Sequence, residues 1–176
     1  MTGADICFFS ATQLLDAYKK RAVSPVEIVG AIAKRIEELN PALNAYCQLR
    51  LGEAREEAKI RERELMQGRD IMPLHGIPVS IKDMTAIAGM PTTFGSKPMA
   101  DNIASEDAPI VERLKHTGAI ILGKTNLPEF AYKGTTDNLL FGATCNPWNK
   151  TRIAGGSSGG AAAAVAAGMG AACRRK

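Results

Sequence analysis

The sequence predicts an α/β fold in which N-terminal helices pack around a mixed central sheet. Residues 1–70 place apolar side chains at helical spacing behind capping signals, which indicates a helical opening. Residues 71–170 instead alternate short apolar runs with a helical pattern and glycine-rich turns, which is typical of an α/β part. We treat residues 1–176 as a single domain, because this length suffices for one core and no long linker or internal repeat divides it.

The opening is predicted to hold three helices. The first covers residues 10–21, with its first serine as the N-cap. The second begins at Ser24, where Ser-Pro-Val-Glu forms a capping box, and is expected to stop at Asn40-Pro41. After a short strand at residues 45–49, a charge-rich helix follows over residues 52–67, and its charges indicate a solvated face.

The α/β part is predicted to hold two strands joined by a helix. Residues 77–81 and 119–122 are apolar runs of strand length. Between them, Ser105 is expected to cap a helix over residues 108–116. A short helix around residues 128–130 follows the second strand. The order strand, helix, strand places a sheet at the centre of the fold.

Composition excludes several classes of protein. Hydrophobic residues make up 45% and charged residues 23%, as in an ordinary globular chain. The net charge is +4, with Arg174, Arg175 and Lys176 at the extreme end, and no basic stripe interleaved with aromatic residues indicates a nucleic-acid partner. Four scattered cysteines and two histidines predict neither a metal site nor an organic cofactor. With no apolar run near the roughly 18 residues of a membrane span and no leader pattern, we expect a cytoplasmic protein that contacts no membrane.

Two familiar motif patterns occur in contexts that argue against them. Residues 118–125 match the nucleotide-binding pattern G-x-x-x-x-G-K-[ST], but the variable positions are a predicted strand and Pro128 follows where a helix should begin. The segment around Ser157 and Ser158 matches G-x-S-x-G, but neither histidine lies downstream, as a Ser-His-Asp hydrolase of this type requires. The sequence therefore predicts neither nucleotide binding here nor a Ser-His-Asp triad.

A glycine-rich turn followed by a run of alanines organises the C-terminal part. Two glycine pairs bracket Ser157 and Ser158, and residues 161–167 then combine small side chains with high helix propensity. Such a cluster is often a flexible linker. Here it leads directly into a helix that is apolar on every face, which we expect to be buried on every side, so we interpret the turn as packed inside a domain.

Lys82 stands at the end of the first predicted strand, where a charge is rarely placed for packing alone. Burial disfavours the charged form of a lysine and lowers its pKa, so such a side chain can act as a base near neutral pH. Asp83 need not pair with it, because neighbouring strand residues point in opposite directions. The alternative is a lysine whose head group reaches solvent from a strand end. A serine activated by a lysine is the chemistry that remains.

Four blocks in one order carry a family resemblance: residues 76–83 (GIPVSIKD), 123–130 (GKTNLPEF), 141–148 (FGATCNPW) and 155–170. In order and separation they resemble the amidase signature family of amide hydrolases, which includes the A subunit of glutamyl-tRNA amidotransferase. The chain is similar to the N-terminal part of that family. The resemblance thus implies an incomplete amidase signature fold.

The resemblance also implies hydrolysis of carbon–nitrogen amide bonds by a Ser-cisSer-Lys mechanism. By this resemblance Lys82 would be the general base, and Ser157, joined to Gly156 by a cis peptide bond, would relay a proton from a nucleophilic serine. Ser158 would hold Lys82 by a hydrogen bond. Family pockets are lined partly by the segment after the second block, so the implied substrate-binding residues are Ala131, Tyr132 and Gly134.

The sequence departs from the family pattern after Gly170. Family members continue toward a Thr-Asp-x-Gly-Gly-Ser segment that carries the nucleophile, whereas this chain reads Ala-Ala-Cys-Arg-Arg-Lys over residues 171–176. We therefore expect a truncated amidase that is inactive alone. The alternatives are a glutaminase of the glutamyl-tRNA amidotransferase type and a non-catalytic interaction fragment. The expected partners are a small-molecule amide and either a second copy of the chain or a complementing C-terminal part.

Overall fold

The computed structural model describes residues 6–171, so the terminal charges and Cys173 considered above lie outside the described residues. Its helices are α1 (Ala11–Lys19), α2 (Pro25–Leu43), α3 (Leu51–Met66), α4 (Pro109–His116) and α5 (Gly159–Ala166). Its strands are β1 (Tyr46–Leu49), β2 (Pro78–Lys82), β3 (Ile120–Thr125), β4 (Asp137–Asn138), β5 (Gly142–Ala143), β6 (Cys145–Asn146) and β7 (Asn149–Ile153). Short 3₁₀ turns occupy Lys97–Met99 and Glu129–Ala131.

The central sheet is mixed, which confirms the predicted fold class, and its strand order is β1-β3-β2. β2 runs parallel to β3, with Ile81 opposite Lys124 and Lys82 opposite Thr125. β1 runs antiparallel to β3 on the other side. Because β3 is paired on both edges and covered on both faces, every one of its residues is buried. The carboxyl ends of β2 and β3 meet at one edge of the sheet, and Lys82 lies at that edge.

Two apolar clusters cover the two faces of β3. Ile120 and Leu122 face the larger cluster and Ile121 the smaller one, as the alternation of a strand requires. The larger cluster lies between the sheet and four helices, and its members include Tyr18, Ile28, Ile32, Ile36, Ala54 and Ala163. The smaller cluster consists of Ile81, Ile87, Val111 and Ile121. The sheet is therefore a rigid support for the residues at its edge.

The first two helices begin where the capping signals predicted. The Ser10 and Ser24 hydroxyls each accept the N–H of the third helical residue, and Gln13 and Glu27 complete the two capping boxes. The C-terminal end of α2 differs, since the helix continues through Pro41 to Leu43. A proline this close to the end removes a single helical hydrogen bond, and burial of the Leu43 side chain offsets that loss.

Later in the chain, two element boundaries differ from the predicted ones because of tertiary packing. α4 begins at Pro109 behind Ala108, and Ser105 does not cap it, because proline in the first turn is preorganised for the helix without a side-chain cap. β3 runs on to Thr125 because β1 and β2 pair with it over this stretch. Gly123 permits that pairing, since a Cβ there would collide with the Gln48 carbonyl oxygen.

The alanine-rich helix is buried on one face only, so the expectation of burial on every side was wrong. Ala163 and Ala164 of α5 pack into the larger cluster, whereas Ala162 is exposed and Val165 is 37% exposed. Alanine has the highest helix propensity of any residue, so it suits an exposed helix face as well as a buried one. Among residues 6–171, none of the helices combines the length and apolar character needed to cross a bilayer.

Candidate functional site

Lys82 contacts both serines of the glycine-rich turn. Its Nζ donates hydrogen bonds to the Oγ of Ser157 at 2.9 Å and to the Oγ of Ser158 at 3.0 Å. The peptide bond between Gly156 and Ser157 is cis, as the resemblance implied. The structure thus brings Lys82 together with two consecutive serines that lie 75 and 76 positions further along the sequence.

The environment of Lys82 lowers the pKa of its amine and so shifts the protonation equilibrium toward the neutral form. The side chain is half-buried at the end of β2, and this burial lowers the pKa of its amine. Both of its hydrogen-bond partners are neutral hydroxyls. A neutral amine in this position has a lone pair within hydrogen-bond distance of two hydroxyl groups, so it can accept a proton from one of them.

Close backbone approaches place the turn against the end of β3. A Cβ at Gly160 would lie 2.5 Å from the backbone nitrogen and oxygen of Asn126, so only glycine lets α5 begin there. Gly159 meets Thr136 in the same way, and its N–H donates to the Thr136 hydroxyl at 2.9 Å. The glycines therefore serve packing as well as turn geometry.

The segment predicted to bind substrate lies beside the turn at one point. A Cβ at Gly156 would lie 2.9 Å from backbone atoms of Gly134 and Thr135, so these backbones are in contact. Ala131 has a left-handed backbone with φ of 56°, and Tyr132 is 92% exposed. An open cavity of about 570 Å³ lies along this segment, lined by Glu129, Phe130, Tyr132, Lys133, Asp137, Asn138 and Leu139. Tyr132 belongs to this lining, whereas Ala131 and Gly134 do not.

Sequence reasoning missed a second lysine at the same edge of the sheet. Lys124 lies at the end of β3, where its Nζ is 3.1 Å from the Asp83 carboxylate, and both side chains are 0% exposed. Asp83 therefore pairs with Lys124 and leaves Lys82 to the serines, consistent with the alternation argument. The available signal was a second charged residue, Lys124, at the end of an apolar run. That lysine belonged to the rejected nucleotide-binding pattern, and its burial against Asp83 is compatible with that rejection.

Within residues 6–171, histidine, cysteine, aspartate and glutamate side chains form no group of three or more that could hold a metal ion. The contacts of the candidate site join one amine and two hydroxyls.

Comparison with known proteins places this chain in a family. The family profile described as Amidase matches residues 27–173. An acylamidase of Rhodococcus erythropolis is 48% identical over 170 residues, which cover 97% of this chain and 36% of the relative. The A subunit of glutamyl-tRNA(Gln) amidotransferase from Heliobacterium modesticaldum is 43% identical over 160 residues, covering 91% of this chain and 33% of the relative.

A solved structure agrees with these sequence matches. The crystal structure of a bacterial aryl acylamidase of the amidase signature enzymes superposes with a TM-score of 0.87 at 38% identity, covering 93% of this chain and 34% of the other. The chain spans about a third of the length of the curated relatives it matches. By profile, sequence and fold, this chain belongs to the amidase signature family.

Proposed function

We propose that this chain supplies the general base and the proton-relaying serine of an enzyme that hydrolyses carbon–nitrogen amide bonds by a Ser-cisSer-Lys mechanism. Lys82 is the base, Ser157 is the relay and Ser158 positions the lysine. The observation that carries the proposal is the pair of hydrogen bonds from the Lys82 amine to the two serine hydroxyls, at 2.9 and 3.0 Å. The lowered pKa of Lys82 supports the assignment, because a base must be neutral to accept a proton.

The proposed sequence of proton transfers follows this geometry. The neutral Lys82 amine takes the proton of the Ser157 hydroxyl, while Ser157 takes the proton of a nucleophilic serine that attacks the amide carbonyl. As the tetrahedral intermediate collapses, the proton returns along the same path to the leaving amine. Water then repeats the cycle on the acyl-enzyme and releases the acid. Lys82 therefore ends the cycle neutral, as it began.

The nucleophile has no counterpart among the 176 residues, which contain no Thr-Asp-x-Gly-Gly-Ser segment. We therefore assign the nucleophile and the oxyanion-binding groups to a complementing C-terminal part, and we expect the 176-residue chain to be inactive by itself. The fraction of the relatives that the chain covers, 36% for the acylamidase, is compatible with this division of the site.

The proposed substrate is a small-molecule amide bound beside the turn. Ala131, Tyr132 and Gly134 belong to the segment assigned to it, and Gly134 contacts Gly156 next to the relay serine. The adjacent cavity presents Phe130, Tyr132 and Leu139 as exposed apolar side chains. These side chains favour an amide that carries an apolar group.

A chimera tests the proposal. The chain replaces the matching N-terminal 36% of the Rhodococcus erythropolis acylamidase, and acyl amide hydrolysis is measured for the chimera and for three variants of it. We expect Lys82→Met and Ser157→Ala each to lower kcat by about 10²- to 10⁴-fold, the usual contribution of a positioned base. Lys115→Met, on α4, is the matched control and should leave kcat unchanged.

Full activity of a folded Lys82→Met chimera would contradict the assignment of the base. The unmodified 176-residue chain, given a panel of simple aryl and alkyl amides, should show no turnover. Robust hydrolysis by that chain alone would contradict the assignment of the nucleophile to another part.

The similarity to the glutamyl-tRNA(Gln) amidotransferase chain favours a second candidate, a glutaminase that releases ammonia for a partner. Ammonia release from glutamine that rises only with partner proteins and charged tRNA would support this candidate over a free-standing amidase. Stable complex formation with a partner, without any hydrolysis in the complex, would instead support a non-catalytic interaction role.

A further inference from the structure

The buried pair of Asp83 and Lys124 is costly to maintain. The two charged groups lie 3.1 Å apart with both side chains fully buried. Removing two ions from water carries a large desolvation penalty, and well-packed apolar side chains of the same volume often stabilise a fold equally well. Stability alone is therefore a weak explanation for this pair.

Hydrogen bonds hold both members of the pair in one orientation. The Asp83 carboxylate accepts hydrogen bonds from the Gln48 amide at 3.0 Å and from the Thr93 hydroxyl. The Lys124 ammonium donates to the Pro91 carbonyl at 2.6 Å and to the Thr92 hydroxyl at 3.0 Å. Together these contacts join the ends of all three strands of the sheet to the loop that contains residues 91–93.

The pair is connected to Lys82 through the backbone of β2. Lys82 and Asp83 are consecutive, so their side chains leave the strand in opposite directions. The Asp83 N–H donates to the Thr125 carbonyl at 3.1 Å, and the Thr125 hydroxyl donates to the Ile81 carbonyl at 3.4 Å. The backbone is thus held on both sides of Lys82. Anchoring the Asp83 side chain on one face fixes the direction of the Lys82 side chain on the other.

The pair is also connected to the serines through β3. Two residues after Lys124, the backbone of Asn126 supports Gly160 at the beginning of α5. The helix that follows Ser157 and Ser158 therefore rests on the same strand end as the ion pair. One short stretch of β3 supports both sides of the contact between the lysine and the serines.

We propose that Asp83 and Lys124 are positioning residues, whose ion pair holds the Lys82 amine against the Ser157 and Ser158 hydroxyls. The inference rests on the proposed function for its catalytic consequence. The effect of the ion pair on the position of the Lys82 amine is measurable without any substrate.

The pH profile of Lys82 acetylation tests the inference on the 176-residue chain. Trace acetic anhydride is used from pH 7 to 11, Lys82 is quantified by mass spectrometry, and the midpoint of the profile reports the pKa of its amine. Asp83→Asn and Lys124→Met should each raise the midpoint toward the ordinary lysine value of 10.5, because a released amine becomes hydrated.

The two variants separate positioning from a direct effect of charge. Asp83→Asn leaves a positive charge in the pair and Lys124→Met leaves a negative one, so a purely electrostatic effect shifts the midpoint in opposite directions. Loss of positioning raises the midpoint in both variants. Lys115→Met, which breaks the pair between Lys115 on α4 and Asp107 in the preceding loop, is the matched control and should leave the midpoint unchanged.

Thr93→Val keeps both charges and removes one hydrogen bond to Asp83. This variant therefore tests whether the ion pair positions Lys82 if the charge variants do not fold. A raised midpoint in Thr93→Val supports positioning. Folded variants with the wild-type midpoint, or shifts of opposite sign in the two charge variants, overturn it. A wild-type midpoint at the ordinary lysine value overturns both this inference and the proposed base. Upward shifts together with an inactive chimera count against the proposed function only.

Discussion

Lys82 and Lys124 end neighbouring parallel strands of one sheet, yet their surroundings differ. Lys82 is half-buried and donates to two neutral hydroxyls. Lys124 is fully buried and faces the Asp83 carboxylate. Burial lowers the pKa of both amines, but at Lys124 the nearby carboxylate opposes this effect. Burial therefore acts on both lysines, whereas only at Lys124 does a carboxylate partner favour the charged form of the amine.

The largest expected difference concerns stability. Lys124→Met leaves the Asp83 carboxylate buried without its partner, which should lower the free energy of unfolding by about 3–5 kcal/mol. Lys82→Met removes a half-exposed side chain with neutral partners and should stay within about 1 kcal/mol of the wild type. Urea unfolding of the two variants at pH 7 measures both values. Equal losses at the two positions would remove the distinction between the lysines.

A smaller difference is expected for the hydroxyl partners of the two lysines. Thr92→Val removes a buried acceptor of the Lys124 ammonium and should cost about 1–3 kcal/mol of stability. Ser158→Ala removes an acceptor at an exposed site, where water replaces it, and should change stability by less than about 0.5 kcal/mol. Thermal unfolding of both variants checks this order, and a larger loss in Ser158→Ala would reverse it.

The smallest effect is the pH dependence that Lys82 adds to stability. Its pKa is lower in the folded chain than the value of 10.5 for a free side chain. Between those two values the unfolded chain binds more protons, so the stability of the wild type rises with pH in that window. Lys82→Met lacks this contribution, so the wild type should gain stability relative to the variant as the pH approaches 10.5.

Urea titrations at several pH values measure this gain, with Lys34→Met as the control for a lysine on the exposed face of α2. A relative stability that falls with rising pH would show that the pKa of Lys82 is raised on folding. That result would also count against its proposed role as a base.

Local signals predicted much of the framework. The capping boxes at Ser10 and Ser24 act within three residues of each serine, so the sequence locates both helix starts. The sequence also predicted that Lys82 lies at the end of a strand and that the two serines lie in a glycine-rich turn. The cis bond before Ser157 followed from family resemblance and not from local chemistry.

The failures arose where distant packing outweighed local preference. Pro41 indicates a helix end, but burial of Leu43 extends α2 past it. Alanine composition predicted complete burial of α5, but the helix lies on one side of the sheet and leaves Val165 exposed. The end of β3 was placed too early because pairing with two other strands cannot be read from residues 119–125 alone.

The sequence by itself therefore predicted the fold class, the starts of α1 and α2, and the three candidate site residues Lys82, Ser157 and Ser158, because each is recorded in neighbouring side chains or in a family pattern. Only the tertiary structure decided that Asp83 pairs with Lys124, that α5 begins against Asn126, and that Lys82 lies within 3.0 Å of both hydroxyls. The physical reason is that these contacts join segments tens of residues apart, and they form only when the sheet brings the segments together.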